Sequence, residues 1–189
     1  MAPMPAASDE GLIARIAAGD KLAMRALFAR HHLRVYRFVL RFVRDPQLAE
    51  DLIGEVFLDV WRHAAKFEAC SRAATWLLAI ARFKAISSLR RRRDAQLDDA
   101  TAATIEDPRD DPEVTIRKQQ QGRILRDCLA RISPDHREIV HLVYYQGMAI
   151  GEVAEIVGIP EGTVKTRMLH ARRQLSALLS AAGVDRSRP

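Results

Sequence analysis

Near the C-terminal end of the chain, Thr163, Lys165, Thr166, Arg167, His170, Arg172 and Arg173 recur at helical spacing opposite the apolar Val164, Met168 and Leu175. A helix beginning at about Glu161 would bury one side and present the other to solvent. Guanidinium, ammonium and hydroxyl groups are the donors that grip phosphates and read base edges in a major groove. The same residues also fit a merely solvated basic face. A second set lies upstream, where Phe67, Trp76 and Phe83 are interleaved with Arg72, Arg82, Lys84 and the run Arg90 to Arg93. Cations in such a row can follow a phosphate backbone, and ring faces can stack on unstacked bases at about 1–3 kcal/mol per base. Aromatic rings at helical spacing also fill cores; Trp76 suits either role, and one or two of the three rings are expected to be exposed. A third set is acidic. Asp51, Glu55 and Asp59 repeat every four residues, and like charges so placed cost roughly 0.2–0.5 kcal/mol per pair in a helix. Such a stripe either meets a basic partner or is neutralised within the fold by Arg62 and its neighbours.

Little else in the chain could do chemistry. Ser87 and Ser88 beside arginines are the visible nucleophiles of a recombinase-like nuclease, but no glycine-rich loop or acidic constellation accompanies them, so no catalytic residue is assigned. Cys70 and Cys128 lie far apart with no metal-ligand spacing, and the adjacent His31 and His32 would point to different sides of a helix. Reduced thiols, no metal and no cofactor are therefore expected. No segment has the eighteen or so apolar residues of a membrane span, and MAPMPAAS lacks the charged and apolar regions of a secretory leader; the expectation is a cytoplasmic protein without membrane insertion.

The elements that would carry these residues can be read from caps and periodicity. Ser133-Pro134 marks a helix start, with Ile139, Val140, Leu142 and Val143 running to Gly147. Ile150, Val153, Ala154 and Val157 mark a short second helix ended by Gly158, and Ile159-Pro160 connects it to the helix from Glu161. This is a helix-turn-helix with a supporting helix before it. In the other half, Ser8 starts a short helix with Leu12, Ile13 and Ile16, and Asp20 starts a longer one through Val43 with Leu27, Phe28, Val35, Phe38, Val39 and Phe42 inward. Asp45-Pro46 starts a third, whose inward face is Ala49, Leu52, Ile53, Val56, Phe57, Val60 and Trp61; a fourth carries Trp76, Leu77, Ile80, Ala81, Phe83, Ile86 and Leu89.

Charge divides the chain. Residues 9–93 hold 17 Lys+Arg against 9 Asp+Glu, net +8; residues 94–113 hold 1 against 8, net −7; residues 114–189 hold 12 against 7, net +5. The reading is all-α: a disordered 1–8, a helical domain 9–93, an acidic flexible linker 94–113, a helix-turn-helix domain 114–182 and a tail 183–189. After the linker, Asp111-Pro112 would start a helix with Val114, Ile116, Ile124, Leu125, Leu129 and Ile132 inward.

With both halves read, the chain resembles the sigma factors of bacterial RNA polymerase, in particular the small two-domain extracytoplasmic-function group of the sigma-70 family. The resemblance covers about residues 11–180 and rests on AEDLIGEVFLDVW (49–61), ATWLLAIARFKAISSLRRRR (74–93) and SPDHREIVHLVYYQGMAIGEVAEIVGIPEGTVKTRMLHARRQL (133–175), with GIPEGTVKTR followed by ARRQL the most specific. It implies an alternative sigma factor, not an enzyme, that binds core RNA polymerase and promoter DNA and is held by an anti-sigma factor. It implies that Asp51, Glu55 and Asp59 face the polymerase. It further implies that Phe67, Arg72, Trp76, Arg82, Phe83, Lys84 and Arg90 meet and melt the start-proximal promoter element, and that Glu161, Thr163, Lys165, Thr166, Arg167, His170 and Arg173 meet the upstream one. The linker would pass through polymerase channels that nucleic acid otherwise occupies. Two positions depart from the pattern: Gly54 stands where glutamine is common, suggesting a close contact or bend, and Phe83 stands where asparagine is common. The alternative is a helix-turn-helix repressor acting without polymerase.

Overall fold

The structure, a computed structural model, describes residues 8–68, 72–95 and 116–183. Residues 1–7 of the expected N-terminal segment, Cys70, residues 96–113 of the expected linker with its Asp111-Pro112, Val114 and residues 184–189 of the expected tail lie outside the described residues, whereas Asp94 and Ala95, expected in the linker, end a helix. The chain divides into two compact units, Met1–Glu106 and Asp107–Pro189. The first holds α1 (Asp9–Ala17), α2 (Lys21–Val43), α3 (Pro46–His63), a 3-10 turn (Ala64–Lys66) and α4 (Ala73–Ala95). The second holds α5 (Ile116–Arg131), α6 (Pro134–Val140), a π-wound turn (His141–Tyr145), α7 (Ile150–Val157) and α8 (Glu161–Ala181). All regular structure among the described residues is helical, as the sequence leads one to expect.

The caps form where short polar side chains precede the apolar runs, because each helix start leaves N–H groups without a partner in the helix. Ser8 Oγ accepts from the Gly11 amide at 3.1 Å, Asp20 Oδ1 from Leu22 and Ala23 at 2.8 and 3.1 Å, and Asp45 Oδ1 from Leu48 at 3.2 Å. Ser133 Oγ accepts from the His136 amide at 3.3 Å, ahead of Pro134 in the first turn of α6.

In the first unit α2 packs against α1, α3 and α4. Leu27, Val35, Phe38 and Val39 meet Leu52, Val56 and Val60 of α3 and Leu77 and Leu78 of α4 in a fully buried core, each such side chain contributing about 1.5–3 kcal/mol on burial. Asp9 ties α1 to α2: its Oδ1 accepts from Arg30 at 2.8 Å and its Oδ2 lies 2.7 Å from His31 Nε2. Burial pushes the Asp9 carboxyl up, but these two bonds and charges outweigh it and hold it below its ordinary value. Glu10 Oε1 accepts the Ala73 amide at 3.4 Å, so α1 also supports the start of α4.

Several apolar positions sit differently from the expectation. Phe28 is on the rim of the core, 42% exposed, its ring edge-on to Phe57 at 4.8 Å and stacked on His32. On α4, Phe83, Ile86 and Leu89 are exposed, and the buried stripe is Ala73, Leu77, Ala81, Ala85 and Ser88. Small residues on that stripe let α4 approach its neighbours closely, and the large side chains that periodicity favours are turned outward. Gly54 adopts regular helix, and a Cβ there would meet nothing within 4 Å, so the suggested close contact is absent.

In the second unit α6 and α8 pack together around Ile139, Leu142, Val164, Met168 and Ala171, and α7 adds Val153, Ile156 and Val157. Gly158 ends α7 at φ +74°, a left-handed conformation that glycine adopts without steric cost. On α5, Leu125 is exposed and Cys128 is buried in its place beside Leu129 and Ile132. Arg137 closes the end of α5, donating to the Leu129, Ala130 and Ile132 carbonyls at 2.7–3.0 Å.

Candidate functional site

Unit one brings Phe67, Trp76 and Phe83 near one another around the first three turns of α4, while Arg90 lies towards its far end. The connection after Lys66 places Phe67 against Trp76, ring centroids 5.1 Å apart, with both rings half-buried. Asp59, His63, Lys66, Trp76, Ala79, Ile80 and Phe83 line an open depression of about 390 Å³. Phe83 stands on its edge, 68% exposed, the one strongly exposed ring of the three. An open, mostly apolar hollow with ring faces at its edge can take an unstacked base. Arg72, just before α4, and Arg90 on it are exposed, and Arg82 of α4 is half-buried.

Lys84 behaves differently from its basic neighbours. Its Nζ lies 2.8 Å from Asp59 Oδ2 and 3.4 Å from Glu55 Oε2. The Asp59 hydrogen bond raises the Lys84 pKa; desolvation opposes this, and the charge of Asp59 and the bond and charge of Glu55 add to the rise. The acidic stripe of α3 is thus partly neutralised within the unit, by Lys84 of α4 and not by Arg62. Asp51 remains exposed one turn earlier. At the far end of α4, Arg92 donates to Asp45 Oδ2 at 3.1 and 3.2 Å. That bond stitches the arginine run to the cap of α3.

Unit two presents α8. Lys165, Thr166, His170 and Arg173 are exposed; Thr163 and Arg167 are half-buried. Thr166 Oγ1 donates to the Gly162 carbonyl at 3.0 Å, and Glu161 pairs with Lys165 at 3.5 Å. Arg172 lies over the Tyr144 ring at 5.7 Å. α7 meets the start of α8 closely: a Cβ on Gly151 would come within 3.1 Å of Glu161 Oε1. Asp135 and His136, which the sequence did not single out, touch α8 on one flank, with Asp135 Oδ2 3.0 Å from Arg167 Nη1. Only Ser133-Pro134 signals that turn in the sequence, and it announces a helix start without its neighbour.

Among the described residues no group of three or more His, Cys, Asp or Glu could hold a metal ion, and no helix is long and apolar enough to cross a membrane.

Comparison with known proteins agrees with this division. Residues 27–95 match Sigma-70 region 2, and residues 122–175 match Sigma-70, region 4. The ECF RNA polymerase sigma factor SigL of Mycobacterium tuberculosis is 32% identical over 173 residues, 90% of this chain and 96% of SigL. The RNA polymerase sigma factor CarQ of Myxococcus xanthus is 34% identical, covering 90% of this chain and 97% of CarQ. Among solved structures, the sigma factor RpoE in complex with the anti-sigma factor NepR from Bartonella quintana superposes with a TM-score of 0.68 at 25% identity, covering 82% of this chain and 96% of that one. CnrH, in complex with the cytosolic domain of CnrY, superposes with a TM-score of 0.66 at 25% identity over 92% of this chain and 97% of that one. With family matches in both units and relatives above 30% identity along nearly the whole length, this chain belongs to the extracytoplasmic-function sigma factors of the sigma-70 family, and it is an RNA polymerase-associated alternative sigma factor.

Proposed function

We propose that the two units divide promoter recognition between them. In this reading residues 9–93 bind core polymerase and open the start-proximal element, residues 114–182 read the upstream element, and the acidic segment 94–113 threads polymerase channels between them. The observation that carries the first assignment is the depression beside Trp76 with the exposed Phe83 on its edge. An aromatic side chain left 68% exposed on a well-packed helix is only partly covered by the described residues of its own unit, and a base leaving the stack would cover it further. Phe67, Trp76 and Phe83 then hold the base, and Arg72, Arg82 and Arg90 follow the backbone. Lys84 serves the same surface by fixing α4 against the acids of α3.

For the second assignment, Thr163, Lys165, Thr166 and Arg167 lie in the first two turns of α8, where a helix-turn-helix reads bases, and His170 and Arg173 lie further along, where contacts are to phosphate. Asp51 is the foremost polymerase contact of the acidic stripe, with Glu55 and Asp59 behind it. The factor acts by binding and not as an enzyme, works in the cytoplasm, and is held inactive by an anti-sigma factor, as RpoE of Bartonella quintana is found with one. Run-off transcription from genomic fragments, with core polymerase and this chain, tests the reading. Discrete new start sites are expected with the wild-type chain, a loss of them with Phe83→Ala and a changed set with Arg167→Ala. The same starts from both variants would overturn it.

A further inference from the structure

Two consecutive residues of α6 hold one flank of α8. Arg167 Nη1 lies 3.0 Å from Asp135 Oδ2, and His136 Nδ1 lies 3.3 Å from Gln174 Oε1. The His136 ring also stacks near that of His170, centroids 6.3 Å apart and planes 21° from parallel. Arg167, His170 and Gln174 follow one another at three- and four-residue steps, so they form a single stripe along α8. That stripe is neither the buried side, marked by Val164, Met168 and Ala171, nor the most exposed side, which carries Thr166 and Arg173. Arg167 therefore leaves α8 sideways, its side chain 30% exposed, with a carboxylate at one edge of its guanidinium.

We propose that Asp135 is a specificity-positioning residue: it orients the Arg167 guanidinium so that the remaining N–H donors meet a base edge in a fixed direction. The proposal rests on the reading of α8 as the helix that meets the upstream element. A guanidinium carries five donors in a planar fork, and a carboxylate on one edge leaves the others available for a base. An arginine free in solvent samples many rotamers and gives up that freedom on gripping a base; one already held gives up less. The ion pair itself is weak in water, because Asp135 is 63% exposed, but it strengthens when a groove closes over it and excludes solvent. Asp135 also brings a negative charge towards the phosphates, which lowers affinity for every duplex. The two effects have opposite consequences: Asp135 sharpens the choice between sequences and weakens binding to all of them.

This combination separates positioning from mere structural support, since a residue that only stabilises α6 would weaken all sequences together. The test uses holoenzyme reconstituted from the full chain and core polymerase, in competition binding between promoters altered one base pair at a time in the upstream element. Asp135→Ala should bind the non-matching promoters up to about threefold more tightly and lose about 3- to 10-fold in discrimination at one or two positions. Arg167→Ala should lose discrimination at those same positions, and the double variant should lose no more than Arg167→Ala alone. Asp135→Glu, which keeps the charge and the acceptor, should restore most of the discrimination. Full discrimination in Asp135→Ala, with Arg167→Ala defective, would overturn the proposal and leave the reading of α8 standing. A uniform loss of affinity in Asp135→Ala would overturn it as well. Full discrimination in Arg167→Ala would instead remove the reading on which the proposal rests.

Discussion

The two units hold their charges in different ways. In the first, charged residues bridge helices: Asp9 takes Arg30 and His31, Lys84 takes Glu55 and Asp59, and Asp45 takes Arg92. Groups assigned to polymerase or promoter DNA are thus also ties within the fold. In the second, Arg167 of α8 takes Asp135 and Arg137 closes α5, but Lys165, His170 and Arg173 stand exposed on α8, whose apolar packing is done separately by Val164, Met168 and Ala171. A substitution in the first unit that alters binding also alters the fold's own electrostatics; one on α8 can alter binding almost alone. The contrast agrees with the work assigned to each. Opening a duplex needs a rigid platform whose groups stay in place against the stacking energy of the bases, whereas reading a groove needs donors presented on an exposed helix face.

The largest effect that would sharpen this contrast comes from the core of the first unit. Phe38→Ala should destabilise it by about 3–5 kcal/mol, read by tryptophan fluorescence in urea, since both tryptophans, Trp61 and Trp76, belong to that unit. An unchanged midpoint would mean that α2 is not its organising helix. Next, Arg167→Ala should lower discrimination between upstream elements by about 1–3 kcal/mol at one or two positions, while Arg173→Ala weakens all sequences alike and reduces the salt slope by roughly one. Selection of binding sites by each variant checks both. A third comparison lies within the acidic stripe. Asp51→Arg should weaken polymerase association by roughly 1–2 kcal/mol, and more than Asp59→Arg, because Lys84 already neutralises Asp59 and Asp51 stands exposed among the described residues. Equal losses in a titration would place the partner contact elsewhere.

The smallest effect concerns acid. Asp9 titrates lower in the fold than its ordinary value of 3.8. Its contribution to stability is therefore complete above that value and is lost as pH falls through the folded one. Asp9→Asn should lower stability at neutral pH slightly and flatten the acid limb of the stability curve of the first unit, measured by circular dichroism. An acid limb identical to that of the wild type would show that α1 is held by its apolar residues alone.

What was legible in the sequence followed local rules. Ser8, Asp20, Asp45 and Ser133 announce helix starts because a short polar side chain before an apolar run satisfies a free amide wherever the chain then goes. The spacing of Ala154, Gly158 and Val164 announces the helix-turn-helix by another local rule, since a left-handed helix end favours glycine. What escaped was pairing between helices. Periodicity assigned Phe83, Ile86 and Leu89 inward because large apolar side chains carry the signal, yet Ala73, Ala81 and Ala85 make the buried stripe, and alanine marks a face only weakly. Lys84 reads as one of the phosphate-binding cations because the sequence shows its basic neighbours on α4 and not the acids of α3 across from it. Asp135 carries no signal of its role in the sequence, since a lone acid near a cap has an ordinary explanation until α8 is seen beside it.

If opening and upstream reading reside in different units, permanganate reactivity of promoter thymines in the reconstituted holoenzyme separates the two. Phe83→Ala, on a position too exposed to matter for folding, should leave upstream protection intact and abolish reactivity near the start site. Arg167→Ala should reduce upstream protection, and the start-proximal thymines of those promoters that do bind should react as in the wild type. Full start-proximal reactivity with Phe83→Ala, or a loss of upstream protection by that variant, would contradict the claim.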